Sequence, residues 1–266
     1  MVSPEEPAAD IGRFAGLVRT EPVPLGTAAL VVASVLGHPD AVSVGEARFA
    51  ELAAEVPSPD LESVSRHLFE TVGLRGDARS YYDPANSMVP SVLARKRGIP
   101  ITLALVTVEV ARRLGVEATV VGMPGHVLVG DGDPPTRWID GFHGGQWLDA
   151  AGARARFAAI HGPRAAFDPS YLRAIPDVHV LARLLGNLVG IYSAAGDGHR
   201  LLKVRRLRAT IPGVGEHERS ELAAAYAAVG RYEEAADLWE HEQGLRSGSL
   251  AEAAAAEVER LRANLN

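Results

Sequence analysis

A chain of 266 residues that is 47% hydrophobic carries enough apolar side chains for a sizeable core in one or two domains. Its formal net charge of −6, without any long basic block, excludes nucleic acid as an expected direct ligand. Its zero cysteines exclude disulfides, thiolate metal sites and a thiol nucleophile.

The opening MVSPEEPAADIGRF is acidic and has no apolar centre, so no signal peptide is expected there, and residues 1–10 are expected to be mobile. Apolar positions then recur at helical spacing through 25–36, 44–55 and 60–73, with Ser43 and Ser58 as expected N-caps and Gly37 and Gly73 as stops. The longest apolar run, Leu25 to Leu36, falls short of the ~20 residues that span a bilayer, so a soluble, cytoplasmic chain without membrane contact is expected. A turn-rich stretch, LRGDARSYYDPANSMVP (74–90), leads to a short helix at 89–97. Its Arg95, Lys96 and Arg97, like Arg112 and Arg113 beside Glu109 and Glu117, read as solvated charges.

In GIPITLALVTVEVARRLG, Pro100 suits a first helical turn and Gly115 a C′ position. Between them apolar side chains cover nearly the whole circumference, which marks a central, buried helix. The period then changes to two. Ala118–Gly122 is an expected strand, and Val127–Val129 and Arg137–Ile139 are the arms of a hairpin closed by DGDPPT, with a further short strand at Gln146–Leu148. A turn centred near Asp133 sets His126 opposite Asp140 on one face of that hairpin. A carboxylate on an imidazole fixes its tautomer and leaves the other ring nitrogen to take a proton; the plainer alternative is a structural pair within a sheet.

From residue 177 onward the pattern is helical. Leu188, Tyr192 and Gly196 recur 34 residues later as Leu222, Tyr226 and Gly230, the period of a tetratricopeptide helix pair. The second unit is the better one; the first carries Arg205 where an aromatic packs. Residues 249–264 read as a closing helix, and so short an array is expected to lean on the domain before it.

Five segments in this order, YYDPANS (81–87), RKRGIPITLALVTVEVARRLG (95–115), GMPGHVLV (122–129), WIDGFHGG (138–145) and LARLLGNLVGIY (181–192), together resemble the SirB-type transglutaminase-like family. The resemblance runs from about residue 25 to 245 and implies an α+β fold: a transglutaminase-like (papain-related) core with a helical lead-in and a tetratricopeptide-like tail. The expected division is a helical segment 1–76 packed on the core, the core 77–176, and the helical tail 177–266. In active transglutaminase-like enzymes a cysteine sits at the start of the buried helix, where the dipole and unpaired N–H groups stabilise a thiolate. That position falls at Pro100, or at Ile101 with a shift of one, while His126 matches the family's histidine and Asp140 its aspartate. SirB-type members usually read GIPI-Ser/Thr-Leu-Ala here, so the lack of a thiol is typical of the resemblance.

Thr102 is the candidate replacement nucleophile, with His126 as its base; the alternative is that its hydroxyl bonds its own helix backbone. Ser87 and Ser91 are weaker candidates. Asp83-Pro84 starts a turn, and the resemblance sets Tyr82 or Asn86 at the border of a ligand cleft that Pro100 and Gly125 also line. Gly144-Gly145 reads as a tight turn. No metal site is expected, because the histidines are scattered and Asp131 and Asp133 read as turn residues; without a GxGxxG or GK[ST] motif no cofactor is expected either. Two functions follow. One is a non-catalytic binding or regulatory protein that holds a peptide or small ligand in the cleft and a protein partner on the helical tail. The other is a hydrolase or acyltransferase in which Thr102 or water attacks, His126 is the base and Asp140 orients it.

Overall fold

The computed structural model describes residues 6–213, 215–245 and 249–263. Helices α1 (Glu6–Leu17), α2 (Leu25–Val35) and α3 (Ala41–Ala54) come first, followed by α4 (Leu61–Arg66), which widens into a π-helical turn over His67–Thr71. Residues 6–10 therefore belong to a helix and not to a mobile lead; residues 1–5 lie outside the described ones. The glycine stops hold, with Gly37 and Gly73 at φ +109° and +82°. The serine caps do not. Asp60 caps α4 through its carboxylate on the Ser63 N–H at 2.7 Å, and Ser43 donates back to the Asp40 carbonyl inside α3.

Strand β1 (Arg75–Gly76) pairs in parallel with β2 (Arg97–Gly98), which follows the short α5 (Val89–Arg95). Next is α6 (Pro100–Arg113), with Pro100 at its first position and every residue from Pro100 to Val108 buried. Each fully buried Leu or Val on it contributes about 1.5–3 kcal/mol. The charges at its far end are paired rather than simply solvated. Glu109 accepts from the Gly26 N–H at the start of α2 and from Arg113, which also reaches Glu46 on α3; Arg112 pairs with Asp177. Arg95 likewise sits 3.3 Å from both Asp77 and Asp83.

Four antiparallel strands, β3 (Thr119–Val121), β4 (Leu128–Gly130), β5 (Trp138–Asp140) and β6 (Gln146–Leu148), form a meander in that order. Helix α6 packs against β3 and β4. The other face carries Val121, Leu128, Trp138 and Leu148 onto Ala153 and Phe157 of α7 (Ala150–His161). Helix α7 has no counterpart among the expected elements. In the hairpin, Val129 stands opposite Ile139, not opposite Arg137 as a turn centred on Asp133 requires. The register is displaced by an even step, so every side chain keeps its face.

Helices α8 (Asp177–Ala194), α9 (Gly198–Arg208), α10 (Gly215–Ala228), α11 (Tyr232–Leu245) and α12 (Ser249–Arg262) follow. Residue 264, the end of the expected closing helix, lies outside the described residues. The 34-residue recurrence is visible in the turns. Gly196 and Gly230 both take positive φ, and the following N–H closes each turn onto a tyrosine carbonyl, Asp197 onto Tyr192 and Arg231 onto Tyr226, both at 3.0 Å. Two compact units result, residues 20–187 and residues 1–19 with 188–266. Residues 20–76 share a unit with the sheet, and α1 packs with α9 in the other.

Candidate active site and ligand cleft

His126 does not lie in a strand. It closes the turn between β3 and β4, where Gly125 adopts φ +71° and the His126 N–H bonds the Met123 carbonyl at 3.0 Å. A side chain other than hydrogen at position 125 is disfavoured by that backbone and by His161, whose ring would lie 3.0 Å from an added Cβ. His161 bonds the Pro124 carbonyl at 3.0 Å, and Arg183 on α8 donates to the carbonyls of both Met123 and His126 at 3.2 Å. The turn is thus held from two sides, and the imidazole it presents is 5% exposed.

Asp140 ends β5 and is fully buried. Alternation along the strand puts it on the face of Trp138, toward α7. Its Oδ1 accepts from His126 Nε2 at 3.0 Å and from the His143 N–H at 3.2 Å; its Oδ2 accepts from His143 Nδ1 at 2.8 Å. Arg156 of α7 sets its Nε 2.8 Å from Oδ2 as an ion contact without hydrogen-bond alignment, and reaches His143 and Gln146 with its other nitrogens. Burial pushes the carboxyl up, but the His126 hydrogen bond and the positive charges of His126, His143 and Arg156 outweigh it and hold Asp140 below the usual carboxylate range. A carboxylate fixed on Nε2 leaves Nδ1 as the nitrogen that can take a proton.

A cavity of about 270 Å³ opens beside His126, lined by Tyr81, Pro100, Ile101, Gly125, His126, Val127, Arg183 and Asn187. The start of α6 borders it, with the positive end of that helix facing the space. Of the residues expected there, Pro100 and Gly125 line the cavity together with His126. Thr102, Asn86 and Tyr82 do not, and Asp140 lies behind His126. Thr102 is fully buried, and its hydroxyl is engaged by backbone alone: it accepts from the Ile99 N–H at 3.1 Å and is within donating distance of the Asn86 and Ile99 carbonyls at 2.8 and 3.0 Å. It makes no hydrogen bond to His126, so the expected nucleophile–base contact is corrected to a structural role. Asn86 is fully buried and donates to the Ser80 carbonyl; Tyr82 is 79% exposed, and its neighbour Tyr81 takes the lining position.

Sequence reasoning passed over Tyr81, His143, Arg156, Arg183 and Asn187. His143 stood within WIDGFHGG, and Arg183 and Asn187 stood four apart within LARLLGN, a spacing that puts both on one helix face. Arg156 had no local signal. The expectation of no metal cluster also failed to foresee that donor atoms of His126, Asp140 and His143 lie within 4.8 Å of one another. The Arg156 guanidinium against the same carboxylate puts a positive charge where a cation would need a negative one, and speaks against metal there.

A buried helix on an antiparallel sheet, with a histidine and an aspartate joined across neighbouring strand ends, makes this an α+β core built around a buried imidazole–carboxylate pair. The family described as transglutaminase-like superfamily matches residues 42–186, and the chain belongs to it. A UPF0162 protein of Xylella fastidiosa is 37% identical over 155 residues, covering 54% of this chain and 55% of that protein. The UPF0162 protein PA3419 of Pseudomonas aeruginosa is 31% identical over 149 residues, 54% of this chain and 52% of its own length. Human F-box only protein 21 is 32% identical over 108 residues, 40% of this chain and 16% of that protein. The chain spans about half the length of the bacterial relatives it matches. Among the described residues, no helix is long and apolar enough to cross a membrane.

Proposed function

We propose that this chain is a binding or regulatory member of the superfamily, in which the cleft beside His126 holds a peptide or small ligand and the helical pairs of the C-terminal region take a protein partner. The single supporting observation is the identity of the residues at the start of α6. Where the resemblance to active transglutaminase-like enzymes sets a cysteine, the cavity is bordered by Pro100 and Ile101, and the hydroxyl expected to replace it, that of Thr102, is engaged by backbone. The finer likeness to SirB-type proteins, with a tetratricopeptide-like tail and a cytoplasmic location, belongs to the same proposal. A second reading, hydrolysis by water that His126 activates, is favoured by the ionised Asp140 on Nε2. A fluorophosphonate probe and a panel of ester and amide substrates separate the two. The binding reading expects no labelling and no turnover; turnover that disappears in His126→Ala would overturn it.

A further inference from the structure

The cavity has a charge character that the dyad does not explain. Two basic side chains line it, His126 and Arg183, and no acidic one does, in a chain whose formal net charge is −6. Asp140 offers no compensation to a ligand, because it is fully buried and all its contacts are with His126, His143 and Arg156. Arg183 has no carboxylate partner among the described residues. It places one nitrogen, Nη2, on the Met123 and His126 carbonyls, which leaves Nε and Nη1 without acceptors of opposite charge. Such a guanidinium is costly to bury: burial draws its pKa down, against the opposing influence of Tyr81. Asn187 stands one helical turn beyond Arg183 on α8 and is exposed, and Tyr81 borders the same space.

From this cluster, and resting on the reading of the cleft as a ligand site, we propose that the cavity recognises a carboxylate, the free C-terminus of a peptide or a small organic acid, with Arg183 as its charged anchor and Asn187 and Tyr81 as hydrogen-bond donors. A single guanidinium with two neutral donors suits a planar monoanion, whereas phosphate sites gather several cations or a nest of backbone N–H groups. The size agrees with a chain end: about 270 Å³ lies just below the roughly 300–1,000 Å³ of drug-sized ligand pockets. His126 lines the same cavity, so the group next to the carboxylate is within reach of the imidazole.

The test uses the full chain and amide NMR shifts of Gly125, Val127 and Asn187. The probes are N-acetyl-Ala-Ala with a free carboxylate, the same compound as its C-terminal amide, and inorganic phosphate. Saturable shifts with the acid, weakened at least about tenfold in the amide, are expected. Arg183→Gln abolishes them. Because Arg183 also holds the His126 turn, Asn187→Asp supplies the second variant: it leaves Arg183 and its backbone bonds in place, sets a carboxylate one turn away, and weakens the acid about tenfold or more. Equal binding of acid and amide would overturn carboxylate recognition and leave the cleft a ligand site. Stronger binding of phosphate than of the acid, or no shift with any probe, would also overturn it. Ester or amide turnover lost in His126→Ala would instead remove the non-catalytic reading, and the ratio of acid to amide affinity would still decide this one.

Discussion

Arg156 and His143 meet on one oxygen of Asp140, Oδ2, at 2.8 Å each, while His126 holds the other at 3.0 Å. One fully buried carboxylate therefore ties together the turn after β3, the end of β5 and helix α7. Its folded pKa lies below the unfolded value of about 3.9, so the stability it contributes is complete above that pH and is lost as pH falls through the folded value. Asp140→Asn is expected to cost about 3 kcal/mol at neutral pH, because it leaves the largely covered Arg156 guanidinium without its counter-charge. The same variant loses less stability than the parent between neutral pH and the acid limb. Urea unfolding at a series of pH values measures both effects, and parallel curves for the two proteins would remove Asp140 from the acid response.

Thr102 offers a sharper separation of structure from chemistry. Its hydroxyl serves the Ile99 N–H and the Asn86 carbonyl in a site sealed from solvent. Thr102→Val leaves those groups unsatisfied and is expected to destabilise the chain by about 1–3 kcal/mol, whereas Thr102→Ser keeps the hydroxyl and loses only a methyl. Ligand affinity at the cavity is expected to follow neither change once both variants are shown to be folded. A drop in some hydrolytic rate in Thr102→Val, without a drop in melting temperature, would restore the hydroxyl to the chemistry.

The buried helix and the four short strands were legible because each obeys a single period: α6 is apolar all round, and Gln146–Leu148 falls where its strand was expected. The meeting of His126 with Asp140 was legible for a weaker reason. Hairpin pairing is sensitive to single-residue slips, but the actual displacement is even, so the face survived although the partners did not. Helix α7 was not legible because its buried side rests on Ala153 and Phe157, too few for an apolar stripe. With it went Arg156, and Arg183 went unremarked within LARLLGNLVGIY although a helix was expected there. Sequence spacing reports neighbours along one element, and these side chains act across elements.

Gly144 and Gly145 share a left-handed backbone, at φ +73° and +77°, yet differ in surroundings. An added Cβ at Gly144 meets open space, whereas at Gly145 it would lie 2.5 Å from the Phe69 ring. Gly144→Ala is expected to cost about 1 kcal/mol for its backbone alone. Gly145→Ala adds overpacking and is expected to cost about 2–4 kcal/mol in all. Chemical denaturation of the two variants side by side checks the order, and equal costs would mean that Phe69 yields freely.

In the C-terminal region the position where a packing aromatic was expected holds Arg205, and the structure supplies the reason. Glu218 on α10 is 5% exposed and lies between Arg205 and Arg208 of α9, with Arg205 also reaching Glu221. Burial pushes the Glu218 carboxyl up, but the hydrogen bond and charge of Arg208, with Arg205 beside it, hold it below its ordinary value. The α9–α10 contact therefore adds a buried ion cluster to the packing of Leu202 on Leu222 and Ala225, whereas the α11–α12 contact packs Trp239 and Tyr232 against Val258 and Leu261. Removing one member of a buried ion cluster costs more than the cluster contributes, because the remaining charges stay desolvated. Glu218→Gln is expected to destabilise this unit by about 3 kcal/mol, read as earlier loss of hydrogen-exchange protection in α9 and α10 than in α6. Replacing Glu218 and both arginines by apolar residues of similar volume is expected to recover most of that loss; failure to recover it would show that the ion cluster is required for α9 and α10 to pack at all.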